Sequence, residues 1–352
     1  MTEGEARRPR RAVVLMNLGG PDDQDAVQPF LFNLFSDPAI ISVPNPLRWL
    51  IAKLISSRRA PTAREIYEQM GGGSPIVANT CAQAEALKKT LASLDPDVEW
   101  GVFIAMRYWD PLSADCAAEV KAFDPESIVL LPLYPQFSTT TTRSSLEAWQ
   151  KEARAISIEA PTNTVCCYPH EQGFIDAVAD LTSAALQQAG NQAVRILFSA
   201  HGLPKEVIAR GDPYQWQVER TVDGILEKLG RDDLDYAVCY QSRVGPLEWI
   251  GPSTDAEIER AGVDGKGAIV VPVAFVSEHS ETLVELDLEY GELAQEAGVE
   301  PYIRVPTVSA HGAFIDGLAR LIRDSNEPIM SGSGGRICPS EFTACPLQGA
   351  QP

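Results

Sequence analysis

The sequence predicts an α/β protein made of two Rossmann-like, doubly wound domains, with parallel sheets and a cleft between them. Three observations point there. Short β-rich runs alternate with longer helical patterns along the chain, which implies βαβ units and a parallel sheet. The runs Ile128-Val129-Leu130-Leu131 and Ile269-Val270-Val271 are apolar on both faces, as strands covered on both sides must be. A strand entering a Gly turn at Val13-Val14-Leu15-Met16-Asn17-Leu18-Gly19 is echoed about 180 residues later at Val194-Arg195-Ile196-Leu197-Phe198-Ser199-Ala200-His201-Gly202.

In chain order the expected strands are 12–18, 99–104, 127–131, 163–166, 194–199, 236–240, 268–271 and 302–305. Helical patterns fall between them at 77–92, 146–155, 174–189, 214–229 and 282–297. The halves divide near residues 168–190, giving domains at 12–168 and 169–328 and a tail at 329–352. Ligands of such folds sit at the carboxyl ends of strands. Gly19, Arg107, Tyr134, His201 and Phe275 are expected there. Residues 58–73 are polar and basic and end in Gly-Gly-Gly, so they read as a mobile connection. The tail from Ser331 (SGSGG) reads as a flexible linker.

Composition narrows the function. Among 352 residues, 48 Asp and Glu face 29 Lys and Arg, for a net charge of −19. Such a balance argues against bulk nucleic-acid binding, which needs positive charge to release counterions, and against purely electrostatic attachment to anionic lipid. No run approaches the ~18 apolar residues of a spanning helix. The basic N-terminus is followed by only a short apolar run ending at Asn17, so no secretory signal is expected. Seven cysteines in this context do not read as a disulfide scaffold. A cytoplasmic enzyme with reduced thiols is expected, and Cys81, Cys116 and Cys239 read as buried packing thiols.

Three features could carry chemistry. On a helix at about 100° per residue, with Glu281 at zero, Glu285 lies at about 40°, Glu289 at about 80°, and Glu278 near 60° if the helix reaches back to it. Four carboxylates on one face, bordered by apolar residues, invite a cation or metal; a solvated face of an acidic protein would give the same pattern. His201 ends a buried strand just before Gly202, where an imidazole could accept a proton, bind a metal or serve as a structural cap. His279 and His311 have weaker contexts. The third feature is apolar. Residues 30–55 are rich in Phe, Leu and Ile, and the loop-like part carries Ile40, Ile41 and Val43. That suits either a greasy ligand or membrane surface, or a loop folded over the core. Gly19-Gly20 and Gly71-Gly72-Gly73-Ser74 fit neither a P-loop nor a dinucleotide fingerprint. No Gly-x-Ser-x-Gly elbow is present.

Taken together these segments resemble the ferrochelatases. The resemblance rests on Asn17-Leu18-Gly19-Gly20-Pro21, Gly71-Gly72-Gly73-Ser74-Pro75, Arg107-Tyr108, Leu133-Tyr134-Pro135-Gln136-Phe137-Ser138, Ser199-Ala200-His201-Gly202-Leu203-Pro204, Gln241-Ser242-Arg243-Val244-Gly245-Pro246 and the block 275–290, in the family's order over about residues 12–325. It implies a two-domain chelatase of the lyase class that inserts Fe²⁺ into protoporphyrin, the last step of haem synthesis, with release of two protons. His201 and Glu281 match the family's facing base and metal-binding groups, and which does which stays open. Glu285 and Glu289 would continue a carboxylate path for iron or protons, with Glu278 beside them as a further metal contact. Leu18, Tyr67, Trp249 and Phe275 match apolar walls that bend the macrocycle. Arg59, Ser74, Arg107 and Tyr134 match positions at the porphyrin mouth, where propionates need donors. The apolar segment becomes a lip that admits a hydrophobic substrate, with peripheral contact at the inner face of a membrane. A coproporphyrin or other tetrapyrrole chelatase and a non-catalytic tetrapyrrole carrier are the alternatives.

The tail departs from the simplest bacterial pattern. Some ferrochelatases hold a [2Fe–2S] cluster with tail cysteines and one earlier cysteine. Thr139 stands at the earlier position used by animal members, and the tail supplies only Cys338 and Cys345. Cys166 and Cys167 would complete four thiolates for a [2Fe–2S] cluster or, alternatively, zinc. Adjacent strand residues point to opposite faces, which makes that pair awkward.

Overall fold

The computed structural model describes residues 8–243 and 245–348. Val244 of the Gln-Ser-Arg-Val-Gly-Pro motif and residues 349–352 of the tail lie outside the described residues. The first half runs β1 (Arg10–Asn17), α1 (Val27–Ser36), α2 (Leu47–Gln69), α3 (Ile76–Leu94), β2 (Glu99–Met106), α4 (Ser113–Phe123), β3 (Ser127–Pro132), α5 (Thr142–Ala155) and β4 (Thr162–Cys167). The second runs α6 (Gln172–Ala189), β5 (Val194–His201), α7 (Lys205–Ala209), α8 (Tyr214–Leu229), β6 (Tyr236–Gln241), α9 (Thr254–Val263) and β7 (Gly267–Pro272). A π-helix (Glu281–Glu289), α10 (Tyr290–Glu296), β8 (Tyr302–Arg304), α11 (Gly312–Asp324) and β9 (Met330–Ser331) follow.

Two parallel sheets result, ordered β2-β1-β3-β4-β9 and β6-β5-β7-β8. The α/β, doubly wound architecture is therefore as the sequence predicts. Each sheet is built outward from its first strand. β1 pairs with β2 on one side and β3 on the other. β5 does the same with β6 and β7. This reversal of direction opens a crevice at the carboxyl end of the first strand. Leu18 follows β1 at that point, and His201 ends β5.

The strands hold these positions because both faces are buried. Val13 and Leu15 feed one apolar core, while Ala12, Val14 and Met16 feed another on the opposite face, following the two-residue period of a strand. The larger core continues through Ile196, Phe198 and Ala200 of β5. One body of apolar side chains thus runs through both sheets and ties the two crevices together.

Three expectations about chain organisation are corrected. Residues 58–69 are not a mobile connection but the second half of α2, which ends only before Gly71 and Gly72, both at positive φ. The helix buries the narrow stripe Ala52, Ser56, Ala60 and Tyr67. Mostly small residues at helical spacing give little hydropathy signal, so the polar remainder dominated the sequence pattern. The tail is not a free linker. β9 pairs with β4, Gly332 N–H donates to Cys167 O at 2.7 Å, and Met330, Ser331, Cys338 and Cys345 are buried. The tail thereby covers the exposed hydrogen-bonding edge of β4. Cys81 is exposed rather than a packing thiol; Cys116 and Cys239 are buried.

Candidate active site

The carboxyl ends of β5 and β6 and the start of the π-helix meet at one point. His201 Nδ1 lies 2.8 Å from Glu281 Oε2. The two side chains are 38% and 24% exposed, so the pair is sheltered yet open to a ligand. With Nδ1 engaged by Glu281, Nε2 is the ring nitrogen left for a substrate. Burial by itself lowers the pKa of His201. The charge and hydrogen bond of Glu281, with a smaller contribution from Glu285, outweigh it and hold the imidazole above its ordinary value. Burial likewise raises Glu281, but His201, with His279 and Ser242, brings it down to about 2. Each partner favours the charged form of the other.

Glu285 stands next in the row. Its pKa is raised, first by burial and then by the Glu281 charge, against lowering hydrogen bonds from Ser242 and Gln241. Ser242 N–H donates to Glu285 Oε1 at 2.7 Å, and Ser242 Oγ lies 3.0 Å from Glu281 Oε2 and 2.5 Å from Glu285 Oε2. Gln241 Nε2 donates to Glu281 O and to Glu285 Oε2, both at 3.1 Å. Tyr290 Oη donates to Glu285 Oε1 at 3.2 Å. Glu289 is exposed at the far end. The three acids thus run from a sheltered end at His201 to an exposed end at Glu289.

The helix carrying them differs from the expected regular α-helix. It is a π-helix, a rare form that occurs mostly as short stretches, frequently at functional sites. The Gln241 amide bonds the Glu281 carbonyl at the first residue of this helix. Glu278 stands apart from the row. It precedes the helix, and its Oε1 accepts from Arg304 Nη1 at 2.7 Å and Thr307 N at 2.9 Å. Its burial would raise its pKa, but Thr282, Arg304 and Thr307 together hold it low. The helical spacing put Glu278 on the acidic face only if the helix reached back to it, and the helix begins at Glu281.

The first half supplies the opposite wall. Tyr67 of α2 is buried with its hydroxyl against Ser280; burial chiefly, opposed by the Ser280 bond and aided by the Glu281 charge, pushes it up to about 12. Leu18 packs into the same apolar cluster as Tyr67 and Tyr108. Gln83 of α3 donates to Val276 O at 2.9 Å and Ser309 O at 3.0 Å, and Ser277 Oγ donates to Gln83 Oε1 at 3.2 Å. These bonds pin the segment before the π-helix to the first half. Phe275 packs edge-on against buried His279, with ring centroids 4.6 Å apart. Trp249 lies over Gly202, where an added Cβ would sit 3.3 Å from the indole and 2.9 Å from Gln241 O. Gly202 therefore lets the ring settle beside His201. Two cavities, about 280 Å³ at Val194, Asp235 and Lys266 and about 360 Å³ at Lys205, Ile208 and Ile250, include neither His201 nor Glu281 in their linings.

Of the mouth positions, Arg59 is exposed, with its guanidinium 5.9 Å from the Phe35 ring centroid. Tyr134 Oη lies 3.4 Å from Ser145 Oγ. Ser74 is half-buried, with its side chain tight against Gly20. Arg107 is engaged within the fold. Its Nη2 donates to buried Asp37 at 2.8 Å and its Nε to Ser144 Oγ at 2.6 Å. Tyr108 and Ser144 hydroxyls bond the same Asp37 oxygen at 2.7 and 2.5 Å. Asp37 was missed because it lies in a loop, 70 residues from Arg107. Among the described residues, no group of three or more His, Cys, Asp or Glu side chains already stands at metal-ligating spacing.

The sequence model of the ferrochelatase family matches residues 10–326. The chain is 53% identical over 341 residues to the ferrochelatase of Caulobacter vibrioides (strain NA1000 / CB15N), covering 96% of this chain and 97% of that one. It is 48% identical over 340 residues to the ferrochelatase of Pelagibacter ubique, covering 96% and 98%. It is 49% identical over 343 residues to that of Hyphomonas neptunium, covering 96% and 94%. The chain belongs to the ferrochelatase family.

This ferrochelatase gathers four of its cysteines at the carboxyl end of β4. Cys166 and Cys167 of β4 join Cys338 and Cys345 of the tail in one buried cluster with Phe137 and Leu347. The adjacent pair, awkward on a regular strand, meets with Sγ atoms 3.7 Å apart. The pairing of β4 with β9 shifts register between Val165 and Cys167, and such an irregularity re-aims side chains. Gln217 Nε2 donates to Cys338 Sγ at 3.1 Å and to Cys167 Sγ at 3.5 Å. A hydrogen bond from Cys338, the Leu347 backbone and Arg336 lower the Cys345 thiol to about 6 against the effect of burial. Thr139 is occupied elsewhere: its N and Oγ1 each donate to Asp212 Oδ2 at 2.7 Å.

The pKa directions fix how the central pair titrates. His201 is raised, so its share of stability is complete below the ordinary imidazole pKa and is lost as pH rises through the raised value. Glu281 is depressed, so its share is present above the ordinary carboxylate value and is lost as pH falls toward about 2. The ion pair spans the window between. Changing Glu281→Gln removes the main charge opposing burial, so the His201 pKa should fall. With only four histidines, its ring signal can be followed by NMR titration and assigned through His201→Gln. A titration that does not move on Glu281→Gln would show that the pair does not form in solution.

Proposed function

We infer that this chain is the ferrochelatase of haem synthesis, a metal chelatase of the lyase class that inserts Fe²⁺ into protoporphyrin and releases two protons. One observation carries the reading: the 2.8 Å contact of His201 with Glu281, open to a wall from the other half. Insertion requires that two pyrrole N–H groups lose protons while a dication sheds water and enters. In its neutral form, with Nδ1–H donated to Glu281, His201 offers Nε2 to the macrocycle as proton acceptor or metal contact, and Glu281 does the complementary work. Glu285 and the exposed Glu289 extend the path to solvent. Leu18, Tyr67, Trp249 and Phe275 form the apolar walls. Arg59, Ser74 and Tyr134 receive the propionates, and Arg107 shapes the mouth through Asp37. No observation favours a coproporphyrin substrate or a carrier role.

His201→Ala and Glu281→Ala should each abolish iron insertion, which is followed in the parent as the loss of protoporphyrin fluorescence, while circular dichroism stays as in the parent and the melting temperature falls with the lost ion pair. Near-normal turnover in either variant would sink the assignment.

The reading extends to the tail, where Cys166, Cys167, Cys338 and Cys345 hold a [2Fe–2S] cluster. Four thiols from two segments share one buried apolar cluster, and Gln217 offers N–H donors to two of the sulfurs, an arrangement that tunes such centres. The cluster, when bound, supplies an electron-accepting centre that staples the tail to β4. Protein purified without oxygen should show visible charge-transfer bands and about two iron and two sulfide per chain, the stoichiometry of the centre. Cys338→Ser should abolish them. A colourless protein carrying zinc would replace the cluster with the alternative metal, and a metal-free one would remove both.

The enzyme is cytoplasmic and meets a membrane surface through its lip. No helix among the described residues is long and apolar enough to cross a membrane. The start of α2 and the loop before it expose Ile40, Leu47, Trp49, Leu50 and Leu54 to between 41% and 54%. Arg48, Lys53, Arg58 and Arg59 lie among and just beyond them in a chain that is otherwise strongly acidic. Leu50→Asp should weaken co-sedimentation with phosphatidylglycerol vesicles at least about tenfold, since burying one Leu is worth roughly 1.5–3 kcal/mol. Turnover of detergent-dispersed porphyrin should be unchanged. Equal vesicle binding by the variant would rule out the lip as the contact.

A further inference from the structure

Ser242 is the residue next to the candidate site that sequence reading quoted without a role. It follows β6 immediately, one residue after Gln241, whose Cα pairs with that of His201. Its backbone adopts φ +62°, the left-handed region that a non-Gly residue rarely occupies. Backbone held in this region clusters at functional sites, where surrounding structure keeps it there. The left-handed turn puts both donors of one residue on the acids. The N–H meets Glu285 Oε1, and Oγ lies within hydrogen-bonding distance of Glu281 Oε2 and Glu285 Oε2.

Gln241 completes the bracket from behind. Ser199 Oγ donates to Gln241 Oε1 at 2.8 Å, which orients the amide so that its Nε2 faces the π-helix. Ser199 Oγ lies 2.8 Å from Thr254 Oγ1 in turn. A chain of side-chain bonds thus leads from α9 across β5 and β6 to the Glu285 carboxylate and the Glu281 backbone carbonyl. Without it the two acids, four residues apart and both negative when ionised, would have no common partner.

We propose that Ser242 is a positioning residue for metal delivery: its left-handed turn aims one N–H and one hydroxyl at Glu281 and Glu285 together, and so fixes the spacing between the His201–Glu281 pair and the next acid. Ser242 does not touch the macrocycle or the iron in this scheme. It acts through the two carboxylates, as outer partners orient metal-binding groups elsewhere. The proposal rests on the reading of His201 and Glu281 as the insertion site.

Three variants separate the hydroxyl from the turn. Ser242→Ala keeps the backbone demand and deletes the hydroxyl. Ser242→Gly relieves the backbone demand and deletes the hydroxyl. Ser242→Thr retains the hydroxyl but adds a β-branched side chain to the left-handed backbone. Steady-state insertion is measured against Fe²⁺ and against protoporphyrin separately, without oxygen, together with the affinity for Co²⁺ alone from its visible absorption. In the Ala and Gly variants the KM for Fe²⁺ should rise about 10–100-fold, the usual cost of losing an outer partner, and Co²⁺ affinity should fall in parallel. The KM for protoporphyrin and the melting temperature of these two variants should stay put, and Ser242→Thr should recover part of the Fe²⁺ affinity at a lowered melting temperature. An unchanged Fe²⁺ KM in Ser242→Ala overturns the proposal, as does an equal rise in both substrates' KM. A normal Ser242→Gly beside a defective Ser242→Ala also overturns it, because the backbone rather than the hydroxyl would then matter. If His201→Ala remains active, the site reading itself fails; if it is inactive while Ser242→Ala is normal, only the role of Ser242 falls.

Discussion

The ion pair between His201 and Glu281 is the constraint on which the site depends. An imidazole and a carboxylate in a half-sheltered crevice would each tend to lose charge through burial. At 2.8 Å they reverse that tendency for one another. The pair also couples two structural levels, since His201 closes β5 and Glu281 opens the π-helix beyond β7. Its geometry is therefore set by the register of β5 against β7 and by the segment pinned through Gln83.

The two crevices share one topological origin. In each sheet the first strand is laid down at the centre and the chain then builds on both sides, leaving a gap at its carboxyl end. One gap carries Leu18 and the other His201, and Tyr67 reaches from the first half toward Ser280 and Glu281 of the second. A flat, largely apolar substrate with a reactive centre suits walls of this kind, with apolar residues from one half and titratable groups from the other. The continuous apolar core between the sheets fixes how those walls face one another.

The acids divide by their partners rather than by their spacing. Glu281 belongs to His201, Glu285 to Ser242 and Gln241, and Glu278 to Arg304. Asp37 similarly absorbs the charge of Arg107 at the mouth. In a chain of such acidic character, cations and donors decide which carboxylates remain available for chemistry.

Much of the fold was legible in the sequence, because buried parallel strands write apolar runs and βαβ units write an alternation that is local. The eight expected strands form, and the echo between 13–19 and 194–202 marks two equivalent strand ends. His201 and the Glu281–Glu285–Glu289 row were legible too, since a lone imidazole after a strand and acids at fixed intervals need no partner to be noticed. What tertiary structure alone decided are the pairings: Glu278 with Arg304, Arg107 with Asp37, Ser242 with two acids, and four cysteines from two distant segments. The π-helix and the shifted register at Val165 and Cys167 belong with them. Each depends on groups far apart in the chain, or on a departure from regular periodicity, and local patterns encode burial and period but not which distant group will arrive to satisfy a charge.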